Sequence, residues 1–332
     1  PTRACLLTGQ YTPRHGVYTV VDDRYAPGQP TMRVLSTKGN DELPAGTKTV
    51  ADVLKSNGYA TALIGMWNLG RGRNGSTGSP TGRGFEVYKR PDDVNFAKDA
   101  YRDAQGRYLS DALCDEALAW IDRNKAKPFF LYYAEHSVHE PFDPKPELLA
   151  KYRKKTPAGL DQGVTPEYAA TVEAVDASIG RILAKLESLG LTKDTLVIFT
   201  SDNGGLPYVV NPLRGSKGLL YEGGIRVPGA VSWPGTIPAG QTYLHPITAL
   251  DVAATACAMA NIPTQPGDLD GVNLLPHLTG QLTTAPHEAL YWRWVAQSAI
   301  RAGNWKLLRG GDREYLYDLG TDLEEKHNLA AQ

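Results

Sequence analysis

Apolar positions along this chain follow two patterns, a helical stripe and an unbroken short run, and their alternation predicts its elements. Thr49 to Asn57 opens on a threonine cap, sets Val50, Val53 and Leu54 on one face and meets Gly58, which predicts a short helix stopped by glycine. Thr61 to Met66 follows as an apolar run too short for a helix and predicts a buried strand. The order then returns. Tyr108 to Asn124 predicts an amphipathic helix, and Pro128 to Ala134 a strand of the kind buried on both faces of a sheet. Pro166 to Leu189 predicts a long helix on the stripe Ala169, Val172, Val175, Ile179, Ile182, Leu183 and Leu186, ended by Gly190. Thr195 to Thr200 predicts another buried strand, Val227 to Trp233 a further one, and Thr248 to Ala260 another helix. Such winding is the mark of an α/β protein, with a large, mostly parallel sheet flanked by helices.

From about Pro286 the pattern changes. Glu288 to Val295, Ser298 to Ala302, Asn304 to Arg309 and the stretch Tyr315-Leu316-Tyr317-Asp318-Leu319 are short, aromatic and separated by turns, which predicts a small antiparallel subdomain. The expected division is therefore an α/β domain over residues 1–285 and a C-terminal subdomain over 286–332. Val20 to Asn40 and Arg71 to Gly84, rich in Gly and turn residues, read as loops.

Composition narrows the partners. With 332 residues, 42% of them hydrophobic, the chain can bury a large core. A net charge of -1 gives no reason to expect nucleic acid or a membrane surface. No apolar run approaches the roughly 18 residues that span a bilayer, so no membrane span is expected. The cluster Lys151-Tyr152-Arg153-Lys154-Lys155 reads as a solvated helix end. Cys5, Cys114 and Cys257 are odd in number and lack metal-ligand spacing, so neither a disulfide framework nor a zinc site is implied. Cys114 shares its helical stripe with Leu113, Ala117, Leu118 and Ile121 and reads as core.

Four stretches carry candidate chemistry. Pro1-Thr2-Arg3 before an apolar turn closed by Thr8-Gly9 reads as a helix start where a guanidinium and backbone N–H groups meet an anion. Glu135-His136-Ser137-Val138-His139 follows a predicted strand, and so places two histidines where open α/β sheets bind ligands. Asp202 and Asn203, before Gly204-Gly205, are either a plain turn or a pair of hard oxygen donors for Ca²⁺ or Mg²⁺. Lys217, between Gly215 and Gly218, can bring an ammonium onto a small anion without steric interference. Asp22-Asp23 could be read as a metal pair, but suits a turn better.

These stretches resemble the signatures of the formylglycine-dependent sulfatases, of the alkaline-phosphatase-like superfamily, and the resemblance runs the length of the chain. It rests on Pro1-Thr2-Arg3 to Thr8-Gly9, on Gly58 to Gly70, on the histidine stretch, on Ser201-Asp202-Asn203-Gly204 and above all on Leu213-Arg214-Gly215-Ser216-Lys217-Gly218-Leu219-Leu220-Tyr221-Glu222-Gly223-Gly224-Ile225-Arg226. It implies a sulfuric ester hydrolase acting on a sulfated sugar, a polysaccharide or another small sulfate ester. Arg3, His139 and Lys217 would be catalytic, with His136, Asn68 and Arg71 toward the substrate and Asp202 and Asn203 on Ca²⁺ or Mg²⁺; Arg73 is a further candidate cation. Glu222 and Arg226 would shape the turn. The nucleophile, a formylglycine made from Cys or Ser, would stand two residues ahead of Pro1, which makes Cys5 the wrong cysteine. The family's paired metal-binding aspartates would also lie upstream, so the chain as given is expected to be inactive, to bind Ca²⁺ poorly and to aggregate without its upstream strand. Met66 and Asn68 stand where the family usually has Lys and His. That departure leaves open a phosphodiester or phosphonate monoester hydrolase, or a catalytically silent glycan-binding relative. Export, to the periplasm or outside the cell, is implied by family analogy.

Overall fold

A computed structural model describes residues 1–19, 40, 42–70, 76, 78–91, 101–103, 105–155 and 163–331. Asp22, Asp23, Arg71 and Arg73 lie outside the described residues. The chain opens with α1 (Thr2–Thr8), α2 (Thr12–His15), α3 (Val50–Ser56), β1 (Ala60–Gly65) and β2 (Val87–Lys89). It continues through α4 (Leu109–Asn124), β3 (Phe129–Ala134), α5 (Pro146–Arg153), α6 (Pro166–Ser188) and β4 (Val197–Thr200). The last third holds α7 (Glu222–Ile225), β5 (Gly229–Ser232), α8 (Asp251–Met259), α9 (Leu275–Leu278), β6 (Leu290–Trp294), β7 (Gln297–Ala302), β8 (Trp305–Gly310) and β9 (Arg313–Asp318). Two compact units result, one of Pro1–Val50, Asn68–Arg71 and Val197–Gln332, the other of Ala51–Trp67 and Gly72–Leu196.

The second unit is built on a parallel sheet in the order β2-β1-β3, with Ala62 opposite both Val87 and Leu131. Every residue of β1 is buried, as its apolar run demands. Against β1 and β3 packs α4, which buries Leu109, Ala112, Leu113, Cys114, Ala117, Trp120 and Ile121. Cys114 is indeed core, its thiol 3.4 Å from the Ser178 carbonyl oxygen.

Two burial expectations need correction here. β3 forms one margin of the described sheet, so Phe129 to Tyr133 are half-buried and Ala134 alone is buried, rather than the whole run being covered on both faces. On α6 the buried residues include Ala170, Ala174 and Ser178, whereas Val172 and Leu183 of the expected stripe are exposed. Small residues four apart let α6 approach α4 closely, and Ser178 Oγ donates to the Ser110 carbonyl at 3.4 Å. Backbone proximity wins over side-chain size at that crossing.

In the first unit β4 and β5 pair antiparallel, with Ile198 opposite Val231. The strand expected to be buried over Thr195 to Thr200 is half-exposed: Phe199 keeps 43% of its surface, because among the described residues β4 has β5 as its one sheet neighbour. The C-terminal part is an antiparallel sheet in the order β6-β7-β8-β9, as its aromatic, turn-punctuated pattern predicts. The fold class is thus α/β with a parallel sheet and a C-terminal antiparallel one. α1 packs on α8, and Gly9, at φ 65, ends α1 where a side chain would strike Leu269 and Ala253. Asp270 then fixes the following turn by accepting from the Tyr11 backbone N–H at 2.7 Å and pairing with Arg14 at 2.8 Å.

Candidate active site

The first unit brings together Arg3, Asp202, Asn203 and the loop of Lys217. Arg3 lies in the first turn of α1, mostly buried, and its Nε donates to Asp202 Oδ2 at 3.0 Å. The other oxygen, Oδ1, accepts from Asn203 Nδ2 at 2.7 Å. Ser201 Oγ donates to the Asn203 carbonyl at 2.8 Å and tightens the turn that leaves β4. Asp202 therefore presents its carboxylate in one fixed orientation, and Asn203 keeps a side-chain carbonyl oxygen as an acceptor.

Glycine lets the next loop approach. The Gly204 N–H donates to the Gly224 carbonyl at 2.9 Å, and any Cβ on Gly204 would overlap the Gly223 carbonyl. The Lys217 N–H donates to the Gly205 carbonyl at 3.0 Å. The turn of Asp202 and the loop of Lys217 are thus one hydrogen-bonded body, with Lys217 exposed between Gly215 at φ 81 and Gly218 at φ 86. Glu222, expected to shape this loop, is buried and pairs with Lys306 at 2.9 Å and Arg226 at 3.5 Å.

His136 and His139 belong to the second unit. Their imidazoles stack with centroids 4.9 Å apart, and Tyr101 stacks on His136 at 6.2 Å. Tyr101 also donates from its hydroxyl to the His139 carbonyl at 2.9 Å. The His139 Nδ1–H donates to the Glu140 carbonyl at 2.7 Å, which leaves Nε2 as the lone-pair nitrogen of the neutral ring. Glu135 organises this turn: it accepts from the Tyr133 hydroxyl, the His136 and Ser137 N–H groups and the Ser137 hydroxyl. Neither Tyr101 nor Glu135 is marked by its spacing; a carboxylate directly after an apolar strand was the one available hint. Asn68 is exposed with φ 54, a left-handed conformation that asparagine tolerates, and the Met66 N–H donates to the Ala134 carbonyl at 2.9 Å.

Cys5 is not a competing nucleophile. Its sulfur lies 3.5 Å from His15 Nε2, but burial pushes the thiol up to about 11 and holds the imidazole down to about 4, so both stay neutral at pH 7. The donor chemistry of Asp202 and Asn203, a carboxylate and an amide oxygen, fits a hard cation as two of its ligands. Among the described residues no group of three or more His, Cys, Asp or Glu could hold a metal.

Comparison with known proteins defines the class. The sulfatase family profile matches residues 1–262, and the profile of the N-sulphoglucosamine sulphohydrolase C-terminal region matches 216–332. Arylsulfatase A of Homo sapiens is 30% identical, with 99% of this chain and 73% of its own length covered. N-acetylgalactosamine-6-sulfatase of Canis lupus familiaris is 30% identical over 92% of this chain and 61% of its own length. The crystal structure of Ps i-CgsB superposes with a TM-score of 0.81 at 29% identity, covering all of this chain and 78% of that one. The chain belongs to the sulfatase family. It spans less than two thirds of the length of several curated relatives it matches.

Proposed function

We propose that the protein hydrolyses sulfate monoesters on a sulfated sugar or polysaccharide. The observation that carries this reading is the single hydrogen-bonded body that joins Arg3, Asp202 and Asn203 to the loop of Lys217. Family membership supplies the reaction class, and Ps i-CgsB, solved with k-i-k-neocarrahexaose, supplies the substrate class by likeness. Export is part of the same proposal; among the described residues no helix is long and apolar enough to cross a membrane.

A sulfate monoester repels nucleophiles, so the site must neutralise its oxygens and set an attacker in line with the leaving alkoxide. In our reading the attacker is a formylglycine two positions ahead of Pro1. A Ca²⁺ ion would be held in part by Asp202 and Asn203 and would supply positive charge to the ester oxygens when bound. Arg3 orients the Asp202 carboxylate. Lys217 places its ammonium on a sulfate oxygen, and His139, whose Nδ1–H donates to the Glu140 carbonyl, would be a catalytic imidazole by family likeness. By family likeness His136, Asn68 and Arg71 would serve the sugar.

Met66 and Asn68 favour a second reading, a glycan-binding relative without catalysis, because losing a transition-state donor costs on the order of 10² to 10³ in rate. Assay of the natural full-length protein on an aryl sulfate, an aryl phosphodiester and a neocarrahexaose separates these. The proposal expects sulfate release, reduced about 10² to 10³-fold by Lys217→Ala. Sulfate binding with no turnover would establish the silent reading, and faster phosphodiester cleavage would reassign the substrate.

A further inference from the structure

The loop of Lys217 has a second support that its motif does not announce. Gly215 and Gly218 leave Lys217 between two left-handed glycines, a backbone free to pivot unless something ties it down. Gln297, more than seventy residues further on, does so with both ends of its amide. Its Oε1 accepts from the Leu220 N–H at 3.2 Å, and its Nε2 donates to the Gly218 carbonyl at 3.3 Å. Gln297 itself cannot drift: it pairs with Trp294 on one side and Gly310 on the other within the four-stranded sheet.

Behind this clamp lies a buried anchor. Lys306, fully buried on β8, sets its ammonium 2.9 Å from Glu222 Oε1 and 2.8 Å from Glu325 Oε1. Glu325 Oε2 accepts from the Glu222 N–H at 2.6 Å, while Arg214 donates to the Glu325 carbonyl at 2.7 Å. Arg301 and Arg226 add positive charge on Glu222 Oε2, at 3.9 and 3.5 Å. Both ends of the loop over residues 214–226 are therefore fastened to the antiparallel sheet and the tail that follows it. The apolar contacts agree: Leu220 packs with Ala299 and Leu308, flanked by Tyr221, Ile225, Trp292 and Trp294.

We infer that Gln297 is a positioning residue for Lys217, acting through Gly218 and Leu220, and that the buried Lys306 cluster is the fixed base from which it acts. The C-terminal sheet is then a part of the sulfate-binding apparatus without touching sulfate. The inference rests on the reading of Lys217 as a sulfate-binding residue. A misplacement of about 1 Å at a reacting centre costs as much as 10²-fold, so cutting the clamp should be visible in the rate while the sheet stays folded.

The test is a double-mutant cycle in the natural full-length protein with an aryl sulfate. Gln297→Met removes both hydrogen bonds at similar volume and is expected to lower kcat/KM about 10 to 100-fold. Gln297→Glu keeps the acceptor for the Leu220 N–H but turns a carboxylate oxygen against the Gly218 carbonyl, and should lower kcat/KM at least as far. In the Lys217→Ala background Gln297→Met should change kcat/KM less than about twofold, because the group it positions is gone. Equal losses in both backgrounds, or an unchanged rate in the native background, would overturn the inference while leaving the Lys217 reading intact. Full activity of Lys217→Ala would overturn both. Should Gln297→Met unfold, the same cycle is run with Gln297→Glu, and additivity there counts equally against the inference.

Discussion

His15 shows how one side chain sets a pH limit on the fold. The ring is buried, its Nδ1 accepts from the Val17 N–H at 3.1 Å and Nε2 faces the Cys5 sulfur, so the neutral tautomer satisfies both nitrogens. Burial lowers its pKa from 6.5 to about 4. Between those values the unfolded chain takes up a proton that the folded protein refuses. The stability tied to His15 is therefore fully present above pH 6.5 and is lost as pH falls toward 4, a term on the order of 3 kcal/mol. His15→Asn, which offers an oxygen in place of Nδ1, should flatten the fall of the urea midpoint between pH 6.5 and 4; an unchanged slope would place the acid sensitivity elsewhere. Nothing in the spacing of His15 along the sequence announces its burial.

The loop over residues 213–226 packs without room for side chains at two of its glycines. Backbone lies against backbone: a Cβ on Gly224 would overlap the Leu219 and Ser216 carbonyls, and one on Gly223 would come within 2.6 Å of the Arg214 carbonyl. Gly224→Ala must push these carbonyls apart, a cost of about 1–3 kcal/mol, and should displace Gly204 and with it Asp202. Expected together are a lower urea midpoint and a lower kcat/KM; a loss of stability with an unchanged rate would show that the turn of Asp202 does not depend on this contact. The glycine string was visible in the sequence, which names the residues but not their opposite numbers. Helix α6 teaches the converse, since Val172 and Leu183 of its heavy stripe are exposed, and Ala170, Ala174 and Ser178 are buried along with Leu186 alone of that stripe. Periodicity located the helix correctly; which face is buried depended on α4, a partner no window of α6 contains.

Scaled up to the whole chain, the question is how many ligands a cation would find. Asp202 and Asn203 are adjacent, and Asp202 already shares an oxygen with Arg3. Ca²⁺ takes six to eight oxygen ligands, and among the described residues no group of three or more His, Cys, Asp or Glu could hold a metal, so titration calorimetry of the 332-residue chain with Ca²⁺ should show no micromolar binding. Binding at that level would mean that other carboxylates complete the set.

What the order of residues determined alone is local: where helices and strands fall, where glycine permits a turn, and which oxygens, amines and imidazoles each loop holds out. Periodicity and backbone freedom are properties of neighbours along the chain, so a sequence records them directly. Tertiary structure alone decided that Asp202 meets Arg3 across 199 positions, that Gln297 grips the loop of Lys217, and that Lys306 is buried between two glutamates. Those pairings follow from which surfaces can close on each other while giving their buried polar groups partners, a condition imposed by the whole chain on each of its parts.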